Sequence, residues 1–335
     1  MSMLTTRARM GMTSALADIQ APVRHELARV ADEIWRIVAD ENQLVADVNR
    51  HLQAMKGKMF RPTLVLLSRA ATGRPAAEAS TLAAVVELIH LGTLVHDDAV
   101  DHSVLRRGMP TVNSVFSHQV SVLMGDYLYT RALRECVRSG EVEALRVLTE
   151  AASDMTLGEI RQLAAVDRLG FTEDDYNALI RAKTASLFSA ACEVGALGAS
   201  ASVCMALACY GERLGMAFQV ADDLLDYTEA QEVTGKPAGL DLRERKVTIP
   251  LIAALREMGA AERRRVEELF TDDAPDSSRV SEVVALVADN GGLDYARQKG
   301  EQFAEEAADA LGVLAETPAR AALYDAIGYV MDRRW

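Results

Sequence analysis

The stretches LIHLGTLVHDDAVD (residues 88–101) and FQVADDLLD (residues 218–226) contain the same acidic pattern, two aspartates followed after two apolar residues by a third. Both stretches lie in apolar, helix-forming sequence. Because residues four apart lie on one face of a helix, the first and third aspartates of each pattern are expected side by side. Like charges this close repel each other unless a cation lies between them. The two patterns therefore predict facing carboxylate clusters that hold Mg²⁺ on the phosphates of a substrate.

A single acidic pattern of this kind would more often be a solvated helix face. Here two copies occur in apolar helices, and basic residues lie near them in the segments 102–114 and 229–246. This combination favours a site for a magnesium-bound diphosphate or triphosphate.

The composition favours one helical domain. The chain has 335 residues, of which 50% are hydrophobic and only 5% are aromatic, and alanine and leucine are abundant, which favours helix over sheet. No proline lies between Pro110 and Pro237, as a long helical core requires. We predict an all-α fold, a single-domain antiparallel helical bundle around a central cavity. Residues 1–20 are expected to form a loosely ordered segment before the helical domain over 21–335.

Charge and cysteine content limit the partners and the location. A formal net charge of −13 argues against nucleic acid as a partner. The four cysteines lack the spacing of a metal site and are expected to be free side chains in a reducing cytosol. The sequence shows neither a signal peptide nor an uninterrupted apolar run of about 18 residues. We therefore expect a cytoplasmic protein without a transmembrane segment.

Helical periodicity divides the chain into segments. It begins near Pro22, breaks at Gly57 and continues over Thr81–Val100. Further helices are predicted over 115–138, 141–166, 173–197, 201–228, 248–258 and 261–270, with three more before Trp335. Thr172 and Asp175 resemble a capping box at the start of one of them. Loops are expected over 102–114, 229–246 and 271–278, and no strand is predicted.

Further motifs accompany the acidic patterns. GKMFRP (57–62), RRG (106–108), KT (183–184), GK (235–236) and Lys246 follow one another along the chain. Together with the acidic patterns they resemble the trans-isoprenyl diphosphate synthases, or polyprenyl synthetases, over roughly residues 25–335. The resemblance implies the isoprenoid synthase type of helical bundle. It also implies a prenyltransferase that joins isopentenyl diphosphate head to tail to an allylic diphosphate by Mg²⁺-assisted ionisation, condensation and elimination.

The resemblance assigns a role to each motif residue. It implies three Mg²⁺ ions, with the metal ligands Asp97, Asp98, Asp101, Asp222, Asp223 and Asp226. It implies that the allylic diphosphate is bound by Arg106, Lys183, Lys236 and Lys246, and isopentenyl diphosphate by Lys58, Arg61, His90 and Arg107. The catalytic groups beside the allylic cation would be Lys183, Thr184 and Gln219. Released pyrophosphate would accept the proton.

Two positions depart from the family pattern, and two other functions remain as alternatives. Lys56 stands where the family often has glycine, and Arg245 stands where glycine commonly precedes Lys246; both put the local loop geometry in question. A class I terpene cyclase is disfavoured by the second aspartate cluster and by the residues expected to bind isopentenyl diphosphate. A non-catalytic subunit of a heteromeric synthase is disfavoured because both aspartate clusters are intact.

The residues of the helix before the first acidic pattern indicate the length of the product. In the family the growing chain runs along this helix, and one helical turn of about 5.4 Å is close to one isoprene unit. Short-chain enzymes commonly carry an aromatic residue four or five positions before the first aspartate. This chain has Thr93 and Gly92 there, with Ile89 below them. We predict a long-chain product of about C30–C50, with farnesyl or geranylgeranyl diphosphate as the alternative. Gly92 has a second interpretation, that it only permits close helix packing.

A homodimer is also expected. Family members pair through central helices, and the segment 115–138 has more apolar residues than one buried stripe needs, namely Val120, Val122, Leu123, Leu128 and Leu133. Transient contact with a membrane would let a long hydrocarbon product leave.

Overall fold

The computed structural model describes residues 15–55, 57–165, 169–228, 239–272 and 274–332. Its regular structure is almost entirely helical, so the all-α prediction is confirmed. The first half contains α1 (Leu16–Gln20), α2 (Arg24–Val38), α3 (Gln43–Ala54), α4 (Phe60–Ala71), α5 (Ser80–Val100), α6 (Val112–Val115), α7 (His118–Arg138) and α8 (Val142–Ala165).

The second half continues with α9 (Glu173–Ile180), a π-helical turn (Arg181–Ala185) and α10 (Ser186–Ala196). The remaining helices are α11 (Ala201–Thr228), α12 (Leu240–Arg243), α13 (Ile249–Glu257), α14 (Ala260–Thr271), α15 (Ser277–Asp289), α16 (Gly292–Ala310) and α17 (Pro318–Met331). Short 3₁₀ turns occupy Ala21–Val23, Ala76–Ala79 and Leu311–Val313.

Most helix bounds lie close to the predicted ones. The segment 201–228 forms α11 with the same bounds, whereas the segment 173–197 is divided by the π-helical turn. The predicted capping box is confirmed, because Thr172 Oγ1 accepts from the Asp175 N–H at 3.2 Å and the Asp175 carboxylate accepts from the Thr172 N–H at 3.1 Å.

Two sequence predictions need correction. Helix α1 begins at Leu16, before the predicted domain boundary at residue 21, because Ile19 is completely buried in the core. The predicted loop 102–114 contains an antiparallel hairpin of two short strands, β1 (Leu105–Arg106) and β2 (Met109–Pro110). Two residues a strand are too few to produce an alternating pattern that sequence inspection detects.

Helix α5 lies inside the bundle and packs against α7, α2 and α4. Its upstream part is buried on all sides, with every residue of 82–86 at most 4% exposed. The range Ala76–Val100 has the length and hydropathy of a membrane span, and 61% of its most apolar window is buried inside the protein. Burial in the core therefore accounts for the apolar composition of this helix.

Glycines allow the helices that carry the motif residues to approach closely. A Cβ added at Gly211 on α11 would lie 2.4 Å from the carbonyl oxygen of Phe188 on α10. One added at Gly195 on α10 would lie 2.3 Å from the carbonyl oxygen of Val65 on α4. No side chain fits at such distances, so α4, α10 and α11 pack with their backbones in contact.

Gly92 on α5 makes a similar approach to α7. A Cβ there would lie 3.3 Å from the carbonyl oxygen of Gly125. The side-chain direction at Gly92 thus points at a neighbouring helix, which favours the packing interpretation of this glycine. The next residue, Thr93, is half-buried and lies one turn from Asp97 on the same face of α5.

Candidate active site

The two acidic patterns lie near the C-terminal ends of α5 and α11. Asp97 and Asp98 are in the last turn of α5, and Asp101 directly follows that helix. The second pattern occupies the last two turns of α11. The six carboxylates differ in exposure: Asp98 and Asp223 are buried, Asp97 and Asp226 are half-buried, and Asp101 and Asp222 are exposed.

The surroundings of Lys246 include one acid of the first pattern and one acid beside the second. Burial lowers the pKa of its ammonium, but Glu244, Asp241 and Asp101 outweigh this and raise the pKa above its ordinary value. Asp101 belongs to the first cluster and Asp241 lies beside the second. Lys246 therefore lies in the field of both clusters, as the prediction of one shared site requires.

Asp98 is tied to the hairpin that follows α5. Arg106 Nε donates to both carboxylate oxygens of Asp98, at 2.8 and 2.9 Å. Burial raises the pKa of Asp98, and the Arg106 guanidinium opposes that rise. Arg106 was predicted to bind the allylic diphosphate, and this ion pair holds it at the edge of the first cluster.

Asp223 is held by neutral donors from inside the bundle. The Tyr176 hydroxyl donates to one carboxylate oxygen at 2.6 Å, and Gln219 Nε2 donates to the other at 2.9 Å. Thr184 Oγ1 donates to Gln219 Oε1 at 2.8 Å. Burial raises the pKa of Asp223, while the Tyr176 and Gln219 hydrogen bonds act in the opposite direction. The predicted catalytic residues Thr184 and Gln219 are thus brought together.

Asp226 fastens the short helix α12 to α11. Its two oxygens accept from the backbone N–H groups of Leu240 and Asp241, at 3.1 and 3.0 Å. This places the Asp241 carboxylate beside the second cluster, where burial and Asp226 raise its pKa to about 7. Asp241 was not predicted, because it lies outside the repeated pattern and only the fold brings it to the site.

Lys183 is held by two residues of α8 that the sequence did not identify. Its ammonium lies 2.7 Å from a Glu159 oxygen and donates to Gln162 Oε1 at 2.9 Å. Burial, followed by the Glu159 carboxylate, raises the pKa of Asp97 to about 6. Glu159 therefore also lies near the first cluster. Lys183 therefore lies near both the Glu159 carboxylate of α8 and Asp97 of the first cluster.

Three of the four residues assigned to the second substrate, Arg61, His90 and Arg107, form a separate basic cluster. Arg61 Nη1 lies 3.0 Å from His90 Nε2, and the Arg61 guanidinium lies 4.6 Å from the centre of the Phe188 ring. Burial, followed by Arg61 and Arg107, lowers the pKa of His90 well below its ordinary value. His90 is therefore neutral and accepts the hydrogen bond from Arg61.

Arg107 and Glu87 belong to the same basic cluster. A Cβ added at Gly57 would lie 3.0 Å from Arg107 Nη1 and 3.5 Å from Glu87 Oε1, so both side chains reach the loop next to Lys58. Burial raises the pKa of Glu87, and Arg61 and Arg107 oppose that rise. Glu87 was not predicted, because a single acid one turn before His90 carries no distinctive pattern.

A cavity opens beside the second acidic cluster. Its polar wall consists of Gln162, Tyr176, Lys183, Thr184, Gln219, Asp223, Asp241, Arg245, Lys246 and Thr248, and its apolar wall of Phe171, Leu179, Ile180 and Val247. Charged groups on one side and apolar groups on the other suit a ligand with an anionic head and a hydrocarbon body.

Of the two positions that depart from the family pattern, Arg245 lies within the described residues and Lys56 does not. Arg245 has φ +55°, a left-handed conformation that glycine adopts without strain. The guanidinium of Arg245 donates to the Asp272 carbonyl oxygen at 3.1 Å, which anchors the loop in that conformation. Lys56 and the predicted phosphate ligand Lys236 lie outside the described residues.

The carboxylates of the site fit divalent cations that are shared with a substrate. Within the described ranges, no three His, Cys, Asp or Glu side chains converge to enclose an ion by themselves. Mg²⁺ commonly binds through one or two carboxylates and the phosphates of a ligand. Burial, followed by the neighbouring carboxylates Glu159 and Asp226, raises the pKa values of Asp97 and Asp241. Added cations would relieve the repulsion among these carboxylates.

Known proteins of one family match the chain over most of its length. The polyprenyl synthetase family model matches residues 42–287. The chain is 36% identical over 318 residues to an all-trans-nonaprenyl-diphosphate synthase of Rhodobacter capsulatus, a match that covers 94% of this chain and 97% of that protein. It is also 36% identical over 310 residues to an octaprenyl diphosphate synthase of Escherichia coli, covering 92% and 96%.

A solved structure has the same fold. It is a polyprenyl synthase from Caulobacter crescentus in complex with calcium and isoprenyl diphosphate. The two structures superpose with a TM-score of 0.91 at 33% sequence identity, over 97% of this chain and 99% of the other.

The raised pKa values predict how stability changes with pH in the metal-free protein. Asp97 and Asp241 have pKa values of about 6 and about 7 when folded, against an ordinary value of 3.8. The native state thus holds protons that the unfolded chain has already released, so their stabilisation is present below pH 4 and is lost as pH rises toward 7. In EDTA, the melting temperature should fall by a few degrees between pH 5.5 and pH 8.

A matched pair of variants isolates this effect from other titrating groups. Asp241→Asn should flatten the fall, because the amide does not titrate. Asp294→Asn, an exposed residue whose ion pair with Arg297 is on the surface, should leave it unchanged. Equal pH slopes for the two variants in calorimetry would contradict the assignment.

Proposed function

The chain belongs to the polyprenyl synthetase family, and we propose from this premise how its own residues perform the reaction of that family. It condenses isopentenyl diphosphate with an allylic diphosphate and makes a long all-trans polyprenyl diphosphate of about C30–C50, the range that contains the products of its octaprenyl and nonaprenyl relatives. The observation that carries the proposal is the arrangement of two aspartate clusters at one site, next to a separate basic cluster.

The metal ligands are proposed from the exposure of the six aspartates. Asp101 and Asp222 are exposed and Asp97 is half-buried, whereas the buried Asp98 and Asp223 and the half-buried Asp226 accept hydrogen bonds from protein groups on both oxygens. We assign direct coordination of the three expected Mg²⁺ ions chiefly to the first set, and orientation of the site to the second. Bound Mg²⁺ would neutralise the charge of the departing pyrophosphate.

The allylic diphosphate is proposed to replace carboxylates as the partner of the site's cations. Arg106, Lys183 and Lys246 are each paired with an acid in the ligand-free chain, namely Asp98, Glu159 and Glu244. These pairings keep three cations close to the aspartates without leaving their charge uncompensated. A diphosphate with its metals offers stronger acceptors at the same place. Lys236 is expected to add a fourth cation.

Isopentenyl diphosphate is proposed to bind the basic cluster of Lys58, Arg61, His90 and Arg107. Neutral His90 fixes one Nη of Arg61, and the Phe188 ring supports the guanidinium from its face. These two contacts orient the Arg61 guanidinium before the ligand arrives. Glu87 sits among these arginines and limits their mutual repulsion.

Thr184 and Gln219 are proposed to face the allylic cation. Thr184 Oγ1 donates its only proton to Gln219, so its lone pairs remain available on the cavity side. An oxygen in that position stabilises positive charge that develops on carbon. The released pyrophosphate would accept the proton that completes the condensation, and no side-chain base is needed.

The alternatives to a long-chain synthase receive less support. A terpene cyclase has no use for the second, metal-free diphosphate cluster around Arg61. A non-catalytic subunit would not need both aspartate clusters or the ion-paired lysines. A short-chain product would require a plug near Thr93, and this residue is small.

Assembly and location are proposed on separate observations. Leu123 of α7 is 66% exposed, and Leu157, Ile160 and Leu163 of α8 are 46–62% exposed. These apolar side chains support a homodimer through α7 and α8, with Leu128 serving the core instead because it is fully buried. The four cysteines are free, which supports a reducing cytoplasm. Transient membrane contact would help a long hydrocarbon product to leave.

The metal proposal predicts that two aspartates are indispensable. Asp97→Asn and Asp222→Asn should each lower kcat by about 10²–10³, the scale of losing an electrostatic contact with a transition state. The assay is product formation from labelled isopentenyl diphosphate, an allylic diphosphate and Mg²⁺. Asp294→Asn is the surface control and should retain full activity. Near-normal turnover in EDTA, or in both site variants, would disprove the proposal.

The product-length proposal predicts a shorter chain when the face of α5 below Asp97 is blocked. Thr93→Phe should reduce the product to about C15–C20 while the first condensation proceeds, because an aromatic ring fills about one turn of the helix face. Chromatography of the dephosphorylated products measures this. Gly92→Ala is the matched control, since its methyl group points at α7; it should lower the melting temperature without changing product length. A full-length product from Thr93→Phe would exclude this face of α5 as the tunnel wall.

The homodimer proposal predicts a particle of about twice 36.3 kDa in light scattering at micromolar concentration. Leu123→Glu should dissociate it, because a charge would be buried in the apolar interface. Val313→Glu, which changes an equally exposed side chain (60%) outside α7 and α8, should leave the dimer intact. A 36.3 kDa species in the unmodified protein would refute the proposal.

A further inference from the structure

A buried tyrosine donates a hydrogen bond to the buried aspartate of the second cluster. Tyr176 is 2% exposed and Asp223 is 5% exposed, and the hydroxyl of the first donates to the carboxylate of the second at 2.6 Å. A tyrosine hydroxyl buried this deeply needs a partner, and an aspartate provides a strong one. The contact joins α9 to α11 across the cavity wall.

The hydrogen bonds continue from Asp223 into the cavity. Gln219 Nε2 donates to the second oxygen of Asp223 at 2.9 Å, and Gln219 Oε1 accepts from Thr184 at 2.8 Å. Asp223 thereby determines which end of the Gln219 amide faces Thr184. A reversed amide would present its NH₂ group to Thr184 and turn the threonine hydroxyl into an acceptor.

Tyr176 and Thr184 belong to one continuous helical stretch. The capping box at Thr172 begins α9 one turn before Tyr176, and α9 runs directly into the π-helical turn that carries Lys183 and Thr184. π-helical turns often mark functional sites, because they rotate the side chains that follow. The Tyr176 hydrogen bond fixes the start of this stretch to α11, and the Thr184 hydrogen bond fixes its end.

We propose that Tyr176 is a positioning residue for the condensation, acting through Asp223 and Gln219 to direct the lone pairs of Thr184 at the allylic substrate. This inference rests on the proposed function, because it takes the reacting carbon of the allylic substrate as the group that the network stabilises. The Tyr176 hydrogen bond explains why Asp223 is buried while its neighbour Asp222 is exposed. The second cluster thus contains two kinds of carboxylate, one presented to the ligand and one that orients the cavity wall.

The test compares two buried tyrosines that each lose one hydrogen bond. Tyr176→Phe removes the donor to Asp223. Tyr210→Phe is the matched control, because Tyr210 is fully buried on α11 and its hydroxyl donates to the Leu323 carbonyl oxygen at 2.8 Å, away from the cavity. Both variants should lower the melting temperature. Only Tyr176→Phe should lower kcat, by about 10- to 100-fold, the effect of losing a hydrogen bond to a charged group, with the KM for isopentenyl diphosphate within about twofold.

A double-mutant cycle tests whether Tyr176 acts through the network. In a Gln219→Leu background the connection to Thr184 is already lost, so adding Tyr176→Phe should change kcat by less than about twofold. Independent effects that multiply in the double variant would overturn the proposal. So would equal kcat values for Tyr176→Phe and Tyr210→Phe.

A binding measurement separates this inference from the proposed function. Calorimetric titration with Mg²⁺ and pyrophosphate should give a Kd at least about threefold higher for Tyr176→Phe than for Tyr210→Phe, because a mobile Asp223 disorders the cluster beside Asp222. If the unmodified protein makes no polyprenyl product, the proposed function fails and the role of Tyr176 in the condensation fails with it; the titration then still decides whether Tyr176 orders the second cluster. Equal affinities for the two variants would overturn the inference whether or not product is made.

Discussion

Repulsion among carboxylates is the constraint on which the rest of this structure depends. Two aspartate clusters, joined by Glu159 and Asp241, meet at the ends of α5 and α11, where burial raises the pKa of several of them. Such a collection of acids destabilises the folded state until cations arrive. The protein limits the repulsion by pairing some carboxylates with its own cations and by giving others neutral donors. The negative charge that remains uncompensated would favour the metal-bound diphosphate that we propose as the ligand.

The bundle can hold this site because its helices are fixed by backbone contacts. Glycines at 195 and 211 bring α4, α10 and α11 closer than any side chain would allow. Closely packed interiors deform little, so the π-helical turn and α11 keep their separation when charged side chains repel one another. The same rigidity keeps the hydrogen-bonded line from Tyr176 to Thr184 in one arrangement. Rigid helices and a polar network within them supply the preorganisation that an electrostatic site needs.

The two proposed diphosphate sites differ in the sign of their surroundings. The first is rich in carboxylates, so on our proposal it would take a diphosphate only together with metal ions. The second is rich in arginine and would need no metal, because Arg61 and Arg107 would provide the positive charge directly. Glu87 lies near both arginines and limits their mutual repulsion, while the neutral His90 adds no further positive charge. On this proposal, a substrate that brings metal and one that does not would bind at different places, as head-to-tail joining of the two requires.

The sequence by itself determined the helical class and most helix bounds, because helix periodicity, capping and breaking residues act over a few positions. The bounds of α11 and the capping box at Thr172 were predicted correctly for this reason. Only the tertiary structure decided which aspartates accept hydrogen bonds from protein groups, as Asp98, Asp223 and Asp226 do, and which acids join them from outside the repeated pattern. It also directed Gly92 at α7 and paired Tyr176 with Asp223. These contacts join residues from distant parts of the chain, and their geometry is set by how whole helices cross, which no local pattern contains.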